Sequence, residues 1–241
     1  MIASVINPAF HRVLLALLIF GVSGLSQIPA ASASDPVERP VLRVCADPAN
    51  LPFSSQNGDG FENKVAALFG EKLGLPITYA WFPQTIGFIR NTLKAKKCDL
   101  ILGAVADQEP LLSTDPYYRS AYALVYRADS DLAGIDTLSD TRLKSKSIGI
   151  VAGTPPATIM AMNGLLERSK SFPLSVDRRH TAPAERMITE IAAGGLDAGI
   201  LWGPIAGYFA QQSGGGLTVV PLLKETTGPQ MIFAITMGVR H

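Results

Sequence analysis

The sequence predicts an α/β protein of two lobes joined by two crossover strands, with a cleft between them. Three observations carry this. Short runs rich in Val, Ile and Leu alternate with longer segments whose apolar residues recur at three and four, the pattern of parallel strands and covering helices. That alternation occurs twice, in two stretches of similar length. Two long, β-prone segments, Tyr118 to Arg127 and Met231 to Val239, fit neither series and read as the connections between them.

In order along the chain, Val41 to Ala46 is predicted as a strand buried on both faces. Phe61, Val65, Leu68, Phe69 and Leu73 form a helical stripe that stops at Gly74, and Pro76 introduces a strand from Ile77 to Phe82. A helix over Gln84 to Lys97 ends in Lys94, Lys96 and Lys97, cations suited to its C-terminus, before the strand Cys98 to Leu102. The second series runs as strand Ser147 to Val151, helix Pro156 to Arg168, strand Leu174 to Val176, helix Pro183 to Ala193, strand Ala198 to Leu201, helix Pro204 to Gln212 and strand Leu217 to Pro221. The expected division is residues 34–127 plus 230–241 for the first lobe and 128–229 for the second.

The first 33 residues differ in kind. His11 and Arg12 precede an apolar run, Val13 to Val22, and a small-residue stretch ends in Ala31-Ser32-Ala33. That order is a secretory signal peptide with cleavage expected after Ala33; the run is about half of the ~20 residues a spanning helix needs. Export to the periplasm follows, with no membrane attachment of the mature chain.

Of the 241 residues 47% are hydrophobic and 17% charged, with a formal net charge of +1 and no long run of like charges, which removes the footprint of nucleic-acid binding. Two cysteines, three histidines and no HExxH or CxxC spacing argue against a metal centre, and no nucleophile elbow or dinucleotide fingerprint is present, so neither catalytic residues nor a cofactor is expected. In an oxidising compartment Cys45 and Cys98 are candidates for a disulfide. Parallel strands aligned at their carboxyl ends would offset the thiols by about 13 Å, beyond the ~7 Å limit, so the spacing favours two separate buried thiols.

Carboxyl ends of parallel strands open into clefts, which gives weight to Asp47 to Phe53, Gly103 to Asp107 (with Val105 at its centre), Val151 to Thr158 and Trp202 to Pro204. Asp47, Asn50 and Phe53 lie in a loop stiffened by two prolines, where Phe53 is either core or cleft. Glu62 opens a helix, where the macrodipole alone would favour a carboxylate. Gly153 and Thr154 sit between strand and helix; Thr154 either caps the helix or offers its hydroxyl and neighbouring N–H groups to a ligand. Trp202, followed by Gly203, is either cleft wall or core plug, and Tyr117 and Tyr118 are either hinge packing or stacking surfaces. His180 falls in an Asp177-Arg178-Arg179 cluster that reads as a solvated loop.

Leu42-Arg43-Val44-Cys45-Ala46-Asp47, then Pro52-Phe53 and Gly60-Phe61-Glu62, resemble the opening of type II periplasmic solute-binding proteins of amino-acid transporters. Cys98 to Gly103, Asp115 to Tyr118, Ile148 to Thr154 and Leu196 to Ile200 match later landmarks in order, so the resemblance implies the periplasmic binding protein-like II fold from Val41 onward. The amino-acid chemistry does not carry over. Asn50 stands where such proteins place a stacking Tyr, Ala104 to Ser113 lacks the Arg that grips the α-carboxylate, and Trp202 replaces the ammonium-binding Asp. An unpaired buried charge costs several kcal/mol, which disfavours a zwitterion.

Trp81-Phe82-Pro83-Gln84, Gly87 to Lys94, Ala152 to Thr158, Leu201 to Ile205 and Ile235 to Arg240 are similar to a narrower group, the quinoprotein-dehydrogenase-associated binding proteins of the MoxJ and XoxJ type. The resemblance implies an accessory to a pyrroloquinoline-quinone (PQQ) methanol dehydrogenase, gripping the enzyme or a segment of it during maturation. Transport of a small non-zwitterionic solute is the alternative. It also implies a further helix after Gly238-Val239-Arg240, so the chain is expected to be truncated there, with its first lobe incompletely covered.

Overall fold

A computed structural model describes residues 40–180 and 182–241; the expected leader lies outside the described residues. Strand β1 (Leu42–Ala46) is central to the first lobe. It pairs in parallel with β4 (Ile77–Trp81), Leu42 opposite Ile77 and Ala46 opposite Trp81, and with β5 (Leu100–Val105), Cys45 opposite Ile101. Between β1 and helix α1 (Phe61–Leu73) the chain forms a small ribbon of β2 (Ala49–Asn50) and β3 (Ser54–Ser55). Gly60 before α1 is obligatory, because an added Cβ would lie 2.0 Å from the Phe53 carbonyl oxygen.

Two long strands bridge the halves. Strand β7 (Tyr118–Arg127) pairs over residues 118–121 with β12 (Ile232–Val239), and β12 runs on antiparallel to β5, while β6 (Leu112–Ser113) pairs with its far end. From Tyr122 onward β7 changes partners, lying antiparallel to β10 (Ala198–Trp202) on one side and β11 (Leu217–Pro221) on the other. Strand β10 is parallel to β8 (Ile148–Val151), and β8 to β9 (Ser169–Phe172). The strand order β4-β1-β5-β12-β7-β10-β8-β9 thus holds two parallel units with the two crossovers in the middle.

Alternation along the strands divides the core by face. Leu124 and Tyr126 of β7 pack with Ile148, Ile150 and Ile200 against Ile159 and Met160 of helix α3 (Pro155–Met162). Ala123 and Val125 face the other way, onto Met187, Ile188 and Ile191 of helix α4 (Pro183–Ala192) and Ala206 of α5 (Gly203–Gln212). In the first lobe Val44, Leu100 and Leu102 cover α1 while Cys45 and Ile101 face Phe88 and Leu93.

Four expectations are corrected. Cys45 and Cys98 form a disulfide with Cα atoms 5.5 Å apart, not two separate thiols. Cys98 precedes β5, so it is not bound to the ladder register assumed for it; it approaches over the sheet face to which Cys45 points, within one buried cluster. Arg240 holds that entry, donating to the carbonyls of Leu93 and Cys98. The helix expected over Gln84 to Lys97 shrinks to α2 (Phe88–Asn91), where the buried Thr92 hydroxyl donates to the Phe88 carbonyl at 2.6 Å and the chain continues as turns. Helix α3 stops at Met162, with the Asn163 side chain donating to the Ile159 carbonyl and Gly164 at φ 69°. The strand expected at Leu174 to Val176 is instead β9, whose Lys170 and Ser171 face solvent at a sheet edge and give no apolar signal.

Candidate functional site

A cavity of about 610 Å³ opens between the ribbon loop after β1 and the second-lobe elements at the carboxyl ends of β8 and β10. Asn50, Thr154 and Trp202, all expected from sequence, are in its wall. Tyr122, Ile188, Ile205, Tyr208 and Phe209 make most of the remaining surface apolar or aromatic.

Asp47 supports the loop rather than lining the cavity, and is 1% exposed. Its Oδ1 accepts from the Ala49 N–H at 2.9 Å, its Oδ2 from the Gln84 N–H at 2.7 Å, and its carbonyl from the Ser54 hydroxyl at 2.8 Å. Asn50 Nδ2 donates to Gln84 Oε1 at 2.7 Å while its Oδ1 has no partner. Trp202, at the end of β10, meets the rings of Tyr122 and Phe233 at centroid distances of 5.3 and 6.0 Å. Gly203 lets α5 begin against β7, since a Cβ there would stand 2.6 Å from the Ala121 carbonyl oxygen.

Thr154 does not cap α3: its hydroxyl donates to the Val151 carbonyl at 2.6 Å. Gly153 makes the left-handed turn before it, at φ 77°. Pro155 and Pro156 have no N–H, so the helix start offers little to an anion.

A second group of expected residues collects beneath the crossover instead. Glu62 is buried, and its Oε1 accepts from the Tyr117 hydroxyl at 3.1 Å; that hydroxyl accepts from the Gly103 N–H at 2.9 Å. Burial pushes the Glu62 carboxyl up to about 7, partly offset by the Tyr117 bond. Burial and the nearby Glu62 charge push both Tyr117 and Tyr118 above the usual phenol range. Phe53, a core residue, meets Phe61 edge-on at 5.5 Å, and Phe61 meets Tyr118 at 5.7 Å. Trp81 stacks on Tyr79 at 4.5 Å away from the cavity wall, and Val105 is occupied in the ladder opposite Ile235.

One residue of the wall was read otherwise from sequence. Arg178, assigned to a solvated loop, lines the cavity with its side chain 24% exposed, and its Nη1 approaches Asp47 Oδ2 at 3.4 Å. Its neighbour Arg179 does stay outside, pairing with Asp177 and holding that carboxyl down at about 2. Two adjacent arginines with opposite fates carry no local signal.

No protein-family model matches the chain. It is 32% identical over 226 residues to Protein MoxJ of Methylorubrum extorquens AM1, covering 88% of this chain and 74% of that protein. It is 34% identical over 181 residues to Protein MoxJ of Paracoccus denitrificans, covering 71% and 65%. Among solved structures, the periplasmic binding protein XoxJ from Methylobacterium extorquens AM1 superposes with a TM-score of 0.70 at 44% identity, over 83% of this chain and 84% of that one. An ancestral cationic amino-acid solute-binding protein shares the fold at a TM-score of 0.63 and 21% identity, covering 84% and 82%.

Proposed function

Since this chain belongs to the MoxJ family of periplasmic binding proteins, we propose that it is a non-catalytic periplasmic accessory to a PQQ-dependent methanol dehydrogenase, gripping the enzyme or a segment of it during maturation. The observation that carries the reading is the cleft wall. Trp202, Tyr122, Ile205 and Phe209 surround a cavity whose lining cation, Arg178, is already paired with Asp47, and whose lining carboxylates are Asp59 and Glu185. Such a wall suits an apolar segment and leaves the carboxylate end of a zwitterion without a free counter-charge. Residues 34–127 with 230–241, and 128–229, are read as the two jaws, moving about β7 and β12. Residues 1–33 are read as the export signal.

Co-purification of the exported protein with the dehydrogenase tests this. Capture of the enzyme is the expected result; a small solute bound at sub-micromolar affinity with no enzyme captured overturns it. The cavity's volume, within the ~300–1,000 Å³ typical of small-ligand sites, favours transport of an uncharged solute as the second reading.

A further inference from the structure

We infer that Asn50 from the first lobe and Arg178 from the second form a recognition point for an uncharged peptide group, selecting the main chain of an apolar segment over a carboxylate. The inference rests on the reading above and specifies how the segment is held.

Asn50 is 5% exposed and faces the cavity with one end of its amide unpartnered. If the Asn50 and Gln84 amides were both turned over, their contact would survive and the other end of Asn50 would be left over. Either way a buried polar atom is left without a partner at the wall, which is unfavourable until something pairs with it.

Arg178 supplies the complement. Its guanidinium carries five N–H donors, and among the described residues its hydrogen bond is the single long one to Asp47. Arg178 lines the same cavity as Asn50, which has a polar atom to satisfy. A peptide group presents both a carbonyl for Arg178 and an N–H or carbonyl for Asn50.

Charge selects between an amide and a carboxylate. Asp47 is buried and held by two backbone N–H groups, so it does not swing away. A carboxylate drawn to Arg178 would stand near that fixed negative charge, at a cavity whose wall also carries the carboxylates of Asp59 and Glu185. A neutral carbonyl oxygen, with only partial negative charge, meets much less of that repulsion.

Calorimetric titration with N-acetyl-Leu-Val-Leu-amide, and with the same tripeptide carrying a free carboxyl terminus, tests the assignment. The amide should bind at least about tenfold tighter than the acid. Arg178→Met should weaken the amide by about 10- to 100-fold, the range of a hydrogen bond to a charged group, measured where circular dichroism shows the variant still folded, because losing the cation leaves the buried Asp47 unpaired. Asn50→Ala should weaken it as well. Equal or tighter binding of the acid, no effect of Arg178→Met, or no binding of the amide overturns the inference. Capture of the dehydrogenase separates the two levels. If the wild type and Arg178→Met capture it equally, this site is wrong and the accessory role stands; if the wild type captures none, the role itself falls.

Discussion

Replacing Glu62 with Gln removes the ionisation of a carboxyl that is 7% exposed, beneath the start of β7, and keeps the oxygen that accepts from Tyr117. Burial raises the folded-state value from 4.5 to about 7, so between those limits the folded protein binds more protons than the unfolded chain. Stability must therefore fall as pH rises through that window, with the full penalty expressed above it. At ~1.36 kcal/mol per pH unit, the interval amounts to about 3 kcal/mol between pH 4 and pH 8. Gln carries no such penalty. Urea denaturation followed by circular dichroism should show the variant gaining on the wild type by about that amount over this range. At ~2–4 °C per kcal/mol for a protein of this size, the melting temperatures should diverge by roughly 6–12 °C. A difference independent of pH would refute the reasoning, because a purely steric or hydrogen-bonding role for Glu62 does not titrate.

Thiol titration of the folded, unreduced protein should find no free cysteine, since Cys45 and Cys98 are bridged; two titrating thiols would exclude the bond. Cys98→Ser should cost about 4 kcal/mol from loop-closure entropy across the sequence separation of 53, read by urea denaturation. Trp202→Ala should reduce affinity for the dehydrogenase by about tenfold or more, since large aromatic residues in a pocket dominate such contacts. Unchanged affinity would remove Trp202 from the site. Gly203→Ala pushes a methyl group against the Ala121 carbonyl and should destabilise by about 1–3 kcal/mol in the same assay.

Where burial pattern and chain direction coincide, the elements were legible. Tyr118 to Arg127 reads as a strand from composition and is one to the residue, because each of its faces meets a separate core. Gly74 ends α1 as expected, in the left-handed conformation that glycine adopts without penalty. Where local preference competes with packing, the reading failed. Apolar spacing over Gln84 to Lys97 favours a long helix, but the Thr92 hydroxyl takes the Phe88 carbonyl and the chain turns to bring Cys98 to Cys45. Polar Ser169-Lys170-Ser171 gives no strand signal because an edge strand needs one partner and can leave its other side to water.

The site divides in the same way. Asn50, Thr154 and Trp202 were singled out by their position after parallel strands and line the cavity, since that topology directs strand ends into a cleft whatever the details. Phe53 was placed near it by the same logic, and Glu62 and Tyr117 by their helix start and hinge, yet Tyr117 donates to Glu62 and Phe53 packs on Phe61 beneath the crossover. The sequence by itself determined the two α/β lobes and the crossovers between them, because residue type and period are local properties of the chain. Tertiary structure alone decided that Cys98 reaches Cys45, that Arg178 and not Arg179 turns inward, and that Asn50 keeps an unpartnered atom at the wall. Each of these depends on where segments far apart in sequence are brought together, and no local pattern encodes that distance.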